Sequence, residues 1–163
     1  MTVRLALLSP TILALTISAC AGGGPVRGGT YMERGVGLGT PADIRQGTTR
    51  LLELHQFEIE IEGTDPDLFY LTRWRFRAPF PDEEVLGVRA AESRVTVRTR
   101  PRSTTSTAGT VHTIDVTVDQ RVMTATSTDW IQITLTPDAR AYAARILADF
   151  RREFDVGGVR RHQ

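Results

Sequence analysis

The pattern of apolar and polar positions predicts a helix, then four or five strands, then a second helix. The first helix begins at Thr40, because threonine caps a helix, Pro41 suits its first position and Asp43 suits the reciprocal capping position. Its apolar face is formed by residues at helical spacing: Ile44, Thr48, Leu51 and Leu52.

From Phe57 the period changes to two, which indicates antiparallel strands with one apolar face. In the first strand, apolar positions alternate with glutamates: Phe57, Ile59 and Ile61 against Glu58, Glu60 and Glu62. In the second, one face carries Tyr70, Thr72, Trp74 and Phe76, and the other carries Leu71, Arg73, Arg75 and Arg77. A third strand covers about residues 93–100, and Val85 is the alternative position for its start. A fourth covers 112–119, and 130–135 is a candidate fifth.

The last element is a long amphipathic helix. Thr136 and Pro137 repeat the cap-and-proline start, and Gly157 with Gly158 ends the helix. Its apolar stripe consists of Tyr142, Ala143, Ile146, Leu147, Phe150 and Phe154. Packing this stripe against the apolar sheet face predicts a two-layer α+β domain, with the short N-terminal helix covering the same face.

The N-terminus carries a targeting signal. Arg4 precedes an apolar stretch that closes with Ile17-Ser18-Ala19-Cys20, and Cys20 is the only cysteine in the chain. This run resembles the lipobox of bacterial lipoproteins. The resemblance implies cleavage between Ala19 and Cys20, lipidation of Cys20, and a membrane anchored through that lipid. Ala21, rather than aspartate, follows the cysteine, so the resemblance also implies the periplasmic face of the outer membrane.

These observations predict four regions. Residues 1–19 are the signal peptide, and residues 20–39 are a tether because glycine-rich chain is flexible. Residues 40–156 form the α+β domain, and residues 157–163 form a flexible tail.

Composition excludes several kinds of chemistry. The chain has no lysine, so a Walker-A phosphate loop and Schiff-base catalysis are excluded. Acylation of the sole cysteine removes thiol catalysis, disulfides and thiolate metal sites. The mature chain holds as many arginines as acidic residues, which argues against nucleic acid as a partner.

The domain from Thr40 to Asp155 resembles those of helix-grip envelope-assembly lipoproteins, such as the third lipoprotein of the β-barrel assembly machinery. The resemblance rests on a weak helix ending in leucines, then Phe57 and Ile59, a turn, and the run from Leu71 to Trp74. It implies a helix packed on an antiparallel sheet and partners among envelope proteins. That family carries two such domains and a long N-terminal segment, whereas this chain has one domain.

Two surfaces are candidate sites. The strand arginines would form a cationic patch for phosphate or anionic headgroups: Arg73, Arg75, Arg77, Arg94, Arg98 and Arg100. The favoured interpretation pairs them with carboxylates on neighbouring strands, with Glu58 opposite Arg73. The second candidate is an apolar pocket between helix and sheet, lined by Phe57, Ile59, Tyr70, Trp74, Val116 and Phe150.

The sequence contains no motif for catalysis or for metal binding. His55, His112 and His162 lack ligand spacing, and His112 falls on the apolar face as a core histidine. No serine lies in a G-x-S-x-G motif. The pair Glu83 and Glu84 lies in turn-like sequence, as do Asp65 and Asp67. We therefore expect no metal, no cofactor and no enzymatic activity.

The sequence favours an envelope lipoprotein with a non-catalytic scaffold or protein-interaction domain, in outer-membrane assembly or maintenance. The alternative is a carrier of an apolar or lipid-like molecule between helix and sheet. A hydrolase is a third hypothesis. A filled layer between helix and sheet would favour the scaffold, whereas an open apolar cavity there would favour the carrier.

Overall fold

One antiparallel sheet with helices on a single face forms the domain in the computed structural model, which describes residues 29–64, 68–102 and 110–156. Along these residues the elements are β1 (Tyr31–Gly39), α1 (Pro41–Leu54), β2 (Ile59–Glu62), β3 (Phe69–Thr72), β4 (Arg75–Arg77), α2 (Pro81–Val85), β5 (Val88–Arg102), β6 (Val111–Thr124) and α3 (Pro137–Val156). The strand order is β1-β6-β5-β3-β2, and β4 also pairs with β5. The predicted two-layer α+β fold is confirmed.

The core lies between the sheet and the helices α1 and α3. The long β5–β6 hairpin supplies its centre, where Val95 pairs with Val118 and Val97 with Val116. The predicted apolar stripe of α3 packs there, and Phe150 is fully buried. Ile44, Leu51 and Leu52 of α1 join the same cluster, so both predicted helix faces are confirmed.

Helix α1 begins and ends with specific backbone devices. The Thr40 hydroxyl oxygen accepts a hydrogen bond from the Asp43 amide, as the capping pattern predicted. At the other end the Phe57 amide donates to the Leu52 carbonyl and the Gln56 amide to the Glu53 carbonyl, which is a Schellman arrangement. Gln56 takes the left-handed conformation that this turn requires, with φ of 58°.

The prediction of a tether up to Gly39 is wrong for Tyr31–Gly39, which form β1, an edge strand paired with β6. Within β1, Gly37 has a packing reason. A Cβ at Gly37 would lie 2.7 Å from the Phe154 backbone, so only glycine admits α3 this close to β1. Residues 1–28 and 157–163, including the predicted signal peptide, Cys20 and tail, lie outside the described residues.

The predicted second strand is two short strands, because the chain carries one extra residue against β5. Leu71 pairs with Thr96, yet Arg75 pairs with Ser93, so Arg73 and Trp74 together oppose a single β5 position. A one-residue insertion turns every following side chain to the opposite face. Arg75 and Arg77 therefore face the helices and Phe76 faces away, the reverse of the prediction.

Two further departures concern the ends of the sheet. A bulge between Ile59 and Ile61 turns Ile61 away from the core, where the prediction had placed it. The predicted fifth strand at 130–135 is a single bridge between Ile131 and Val122. Strand β1 already pairs with β6 up to Asp119, so only the end of β6 is free to accept that segment.

Candidate functional site: the open face of the sheet

The face of the sheet opposite the helices, which we call the open face, is the candidate functional surface. Alternation along β5 and β6 sends Val95, Val97, Val116 and Val118 to the core. The intervening residues therefore project from the open face. They are mainly charged or hydroxylated, with Arg94, Thr96 and Arg98 on β5 and Asp115, Thr117 and Asp119 on β6.

A shallow groove of about 440 Å³ crosses the middle of the open face. Its floor is the row in which Leu71, Thr96, Thr117 and Glu33 lie side by side on β3, β5, β6 and β1. The groove is also lined by Tyr31, Phe69, Arg94, Arg98 and Asp119. Six of the nine lining side chains are polar or charged, and this composition suits a polar ligand with a few apolar contacts.

A stack of arginine and tryptophan side chains borders the groove. The centre of the Trp74 ring lies 4.5 Å from the guanidinium carbon of Arg94 and 4.2 Å from that of Arg121. Trp130 continues the stack at 5.0 Å from Arg121. Carboxylates also pair with both arginines, Asp119 with Arg94 at 3.5 Å and Glu92 with Arg121 at 2.6 Å. The side chains of Arg94 and Arg121 therefore already make their charge contacts within the sheet.

Three other open-face arginines form a row along the end of β5, and we call Arg98, Arg100 and Arg102 the arginine row. All three are exposed. Within residues 29–64, 68–102 and 110–156, no carboxylate oxygen lies within 4.0 Å of their guanidinium nitrogens. The guanidinium of Arg98 lies 6.0 Å from the centre of the Phe69 ring, at the wall of the groove.

The six arginines of the predicted cationic patch therefore do not form one surface. Arg73 pairs with Glu58 at 3.6 Å, as the favoured interpretation predicted, and Arg94 pairs with Asp119. Arg98 and Arg100 remain on the open face without such partners in the described part of the chain. Arg75 and Arg77 lie on the helix side, because the extra residue after Thr72 reverses their direction.

Arg77 lies at the centre of a buried polar network on the helix side. Its guanidinium donates to both carboxylate oxygens of Glu83 at 2.6 Å and to Gln120 Oε1 at 2.6 Å. Glu83 also accepts from the Phe80 amide, and Gln120 donates to the Ala139 carbonyl. The network thus ties β4, α2, β6 and α3 together with its charges paired.

Arg75 and Asp82 make further contacts to α3. Arg75 donates to the Tyr142 hydroxyl at 3.2 Å and to Gln56 at 2.8 Å. Asp82 accepts from the Thr136 hydroxyl and from the Asp138 amide, each at 2.9 Å, at the first turn of α3. The acidic run after Pro81 therefore fixes α3 to α2.

The residues predicted to line an apolar pocket do not all lie on the same side of the sheet. Phe57, Tyr70, Val116 and Phe150 are buried members of the core, and Ile59 packs against them. Trp74 lies on the other side of the sheet, in the stack with Arg94 and Arg121. The extra residue after Thr72 already reverses the direction of Trp74, so a strict two-residue period misplaced this side chain.

The two histidines among the described residues, His55 and His112, fill structural positions. His112 is buried as predicted, with Nδ1 3.3 Å from the Thr99 hydroxyl oxygen. That hydroxyl also contacts the Leu68 carbonyl oxygen at 3.0 Å, so the ring is held beside β3 and β5. Nε2 of His55 lies 3.2 Å from Asp149 on α3. In the part of the chain that the structure describes, no group of three or more histidine, cysteine or acidic residues is arranged to hold a metal ion.

Sequence reasoning missed several residues of the open face. Tyr31 and Glu33 fall in the predicted tether, because the stretch from Tyr31 to Arg34 does not alternate between apolar and polar residues and glycines follow it. Arg121 lies just beyond the predicted end of the fourth strand, and its stacking partner Trp130 lies outside the long strands. Continued alternation through Gln120 and Val122 was the signal for the longer strand.

Comparison with known proteins identifies no relative of this chain. No protein-family model, no curated protein and no solved structure matches this chain. Within the described residues, none of the helices has both the length and the apolar character needed to span a membrane.

Proposed function

We propose that this protein is a lipid-anchored envelope lipoprotein whose α+β domain is a non-catalytic scaffold that binds a protein partner through the open face. The anchor is Cys20 on the periplasmic face of the outer membrane. The partner is another envelope protein, and the process is outer-membrane assembly or maintenance. The lipobox resemblance supports the anchor, and the geometry of the sheet supports the binding surface.

The observation that carries the proposal is that one sheet face is covered while the other is open and grooved. Helices α1 and α3 bury the first face in a continuous core. On the second, exposed apolar side chains such as Tyr31, Ile61 and Phe76 lie among charged residues. A mixture of aromatic anchors and paired charges around a depression is the composition of many non-obligate protein interfaces.

The layer between helix and sheet favours this scaffold over the carrier. Tyr70 and Phe150 are each 0% exposed, and both contact the valines of β5 and β6 in the core cluster. Side chains that pack this way stabilise the domain rather than line a binding cavity.

The candidate catalytic pair Glu83 and Glu84 also has a structural explanation. Glu83 is almost fully buried, and its two oxygens accept hydrogen bonds from Arg77 and from the Phe80 amide. A carboxylate held in this way fixes α2 and is not placed to exchange a proton with a substrate. This arrangement supports a non-catalytic role for the segment.

The test is co-purification from native membranes with the full-length, acylated protein. Thr117→Trp fills the groove on the open face without changing charge. Ala141→Trp adds the same side chain at an exposed position of α3 and is the matched control. We expect an envelope protein that co-purifies with the wild type and the α3 variant and is lost with the groove variant. Equal recovery with all three would overturn the proposal, provided that both variants melt like the wild type.

A further inference from the structure

The arginine row stands out because it places three charges without a carboxylate partner, among the described residues, on successive positions of one strand face. Arg73, Arg94 and Arg121 each have a carboxylate partner there. Arg98, Arg100 and Arg102 are exposed, and the described residues supply them with no carboxylate within 4.0 Å. Three successive open-face positions of β5 thus carry arginines that have no carboxylate partner among the described residues, and together they present a local cationic surface.

Register places Asp115 directly opposite Arg98, yet the two do not pair. Asp115 lies toward β1 instead, where its Oδ1 would be 3.5 Å from a Cβ added at Gly35. Gly35 has no side chain, so this carboxylate has room above β1 rather than over β5. The guanidinium of Arg98 approaches the Phe69 ring at the groove wall. Arg98 is therefore available to a ligand that enters the groove.

The spacing of the row indicates the shape of that ligand. Alternate residues of a strand lie about 6.6–6.8 Å apart on one face. An extended peptide has the same repeat, so acidic residues at every second position would meet successive arginines of the row. Arginine binds carboxylates bidentately, which adds orientation to the charge attraction.

We propose that the arginine row docks an extended acidic segment of the protein partner, whose apolar residues contact Phe69 and Leu71 in the adjoining groove. This inference rests on the proposed scaffold function and names the chemistry of its partner. The mostly polar lining of the groove, with Glu33 and Asp119 among it, favours a peptide over a lipid acyl chain. The charge of the row selects an acidic segment over a basic one.

The experiment measures fluorescence anisotropy of a labelled peptide that alternates glutamate with valine, titrated with the full-length protein in a non-ionic detergent. A peptide with lysine in place of glutamate is the charge control. The variant R98Q/R100Q/R102Q removes the row. The variant R145Q/R151Q/R152Q removes the same charge from exposed positions of α3.

We expect the row variant to lose about tenfold or more in affinity for the glutamate peptide, while the α3 variant changes it by less than about twofold. Raising the salt concentration should weaken binding to the wild type. The inference is wrong if the wild type does not prefer the glutamate peptide to the lysine peptide, or if both variants lose affinity equally. It is also wrong if the row variant abolishes sedimentation with phosphatidylglycerol-containing vesicles while peptide binding is absent, because the row would then serve a membrane.

The two proposals fail in distinguishable ways. If a protein co-purifies in a manner that depends on Thr117 but is unaffected by the row variant, the partner is real and its acidic character is wrong. If no such partner co-purifies, the scaffold function itself fails, whatever the peptide does.

Discussion

Arginine occupies three kinds of environment in this protein, and each has a different consequence. Arg77 is buried and bidentate with Glu83, so its charge holds elements of the helix layer together. Arg94 is stacked on Trp74 and paired with Asp119 at the sheet surface. Arg98 is exposed at the wall of the groove, beside the Phe69 ring, and no carboxylate among the described residues pairs with it. Only the first of these is expected to matter strongly for folding, because exposed pairs are screened by water.

Replacing Arg77 with methionine should therefore destabilise the domain by about 3–5 kcal/mol, because it leaves the Glu83 carboxylate buried without its partner. The double variant R77M/E83L should recover part of that loss, since it removes both charges. Urea denaturation of both variants measures this, with Arg73→Gln as the exposed-pair control at about 0.2–1 kcal/mol. A cost for Arg77→Met no larger than that of the control would contradict the buried network.

The glycines of β1 provide a second test at the residue level. Gly37→Ala should cost about 1–3 kcal/mol, because its Cβ would overlap the Phe154 backbone. Gly35→Ala, two positions earlier on the open face, meets ordinary contact distances and should change stability by less than about 1 kcal/mol. Thermal melts of the two variants compare them directly. If the two melts coincide, β1 does not pass beneath α3.

At the level of elements, periodicity predicted α1, α3 and the paired part of β5 and β6, because each buries one uninterrupted apolar face. It failed where one strand carries an extra residue, at Trp74 and at Glu60. Such a residue turns the following side chains to the opposite face of the sheet, and the residue types alone do not reveal it. It also failed at β1, where glycine density suggested a tether but reflects the close approach of Phe154. The exposure of Arg98 and Arg100 was predictable from alternation. That Arg98 has no carboxylate partner among the described residues depended on where Asp115 lies.

Helix α3 should be the element on which the fold depends most. Phe150→Ala removes a fully buried ring between α3 and the sheet and should cost about 3–5 kcal/mol. The adjacent Arg151 is exposed, so Arg151→Ala should change stability by less than about 0.5 kcal/mol. Chemical denaturation of the two variants gives the comparison. An unchanged midpoint for Phe150→Ala would mean that α3 does not pack on the sheet.

For the whole molecule, the two faces of the sheet have separate roles. The covered face stabilises the domain, and on our proposal the open face carries the function. Stability and partner binding should then respond to different substitutions: core and Arg77 variants alter unfolding, whereas groove and arginine-row variants alter binding. This separation is possible because the sheet backbone fixes the direction of each side chain.

The proposed anchor makes its own prediction. Cys20→Ser removes the sulfur that the lipid would occupy, so the precursor should stay uncut by the lipoprotein peptidase and unacylated. Fractionation and mass analysis of the N-terminal peptide should find the wild type acylated in the outer membrane and the variant not. Ser18→Thr, beside the cleavage site, is a control that leaves the cysteine in place. Normal acylation and outer-membrane recovery of the Cys20 variant would refute the lipoprotein proposal.

The most direct test of the central claim is photo-crosslinking in intact cells with a benzophenone amino acid at Thr117, on the open face, or at Ala141, on α3. We expect a discrete crosslinked protein from position 117 that is absent from position 141 and weaker when Cys20 is replaced by serine. Crosslinking that is equal at the two positions, or confined to position 141, would contradict the claim that the open face of the sheet is the working surface of this protein.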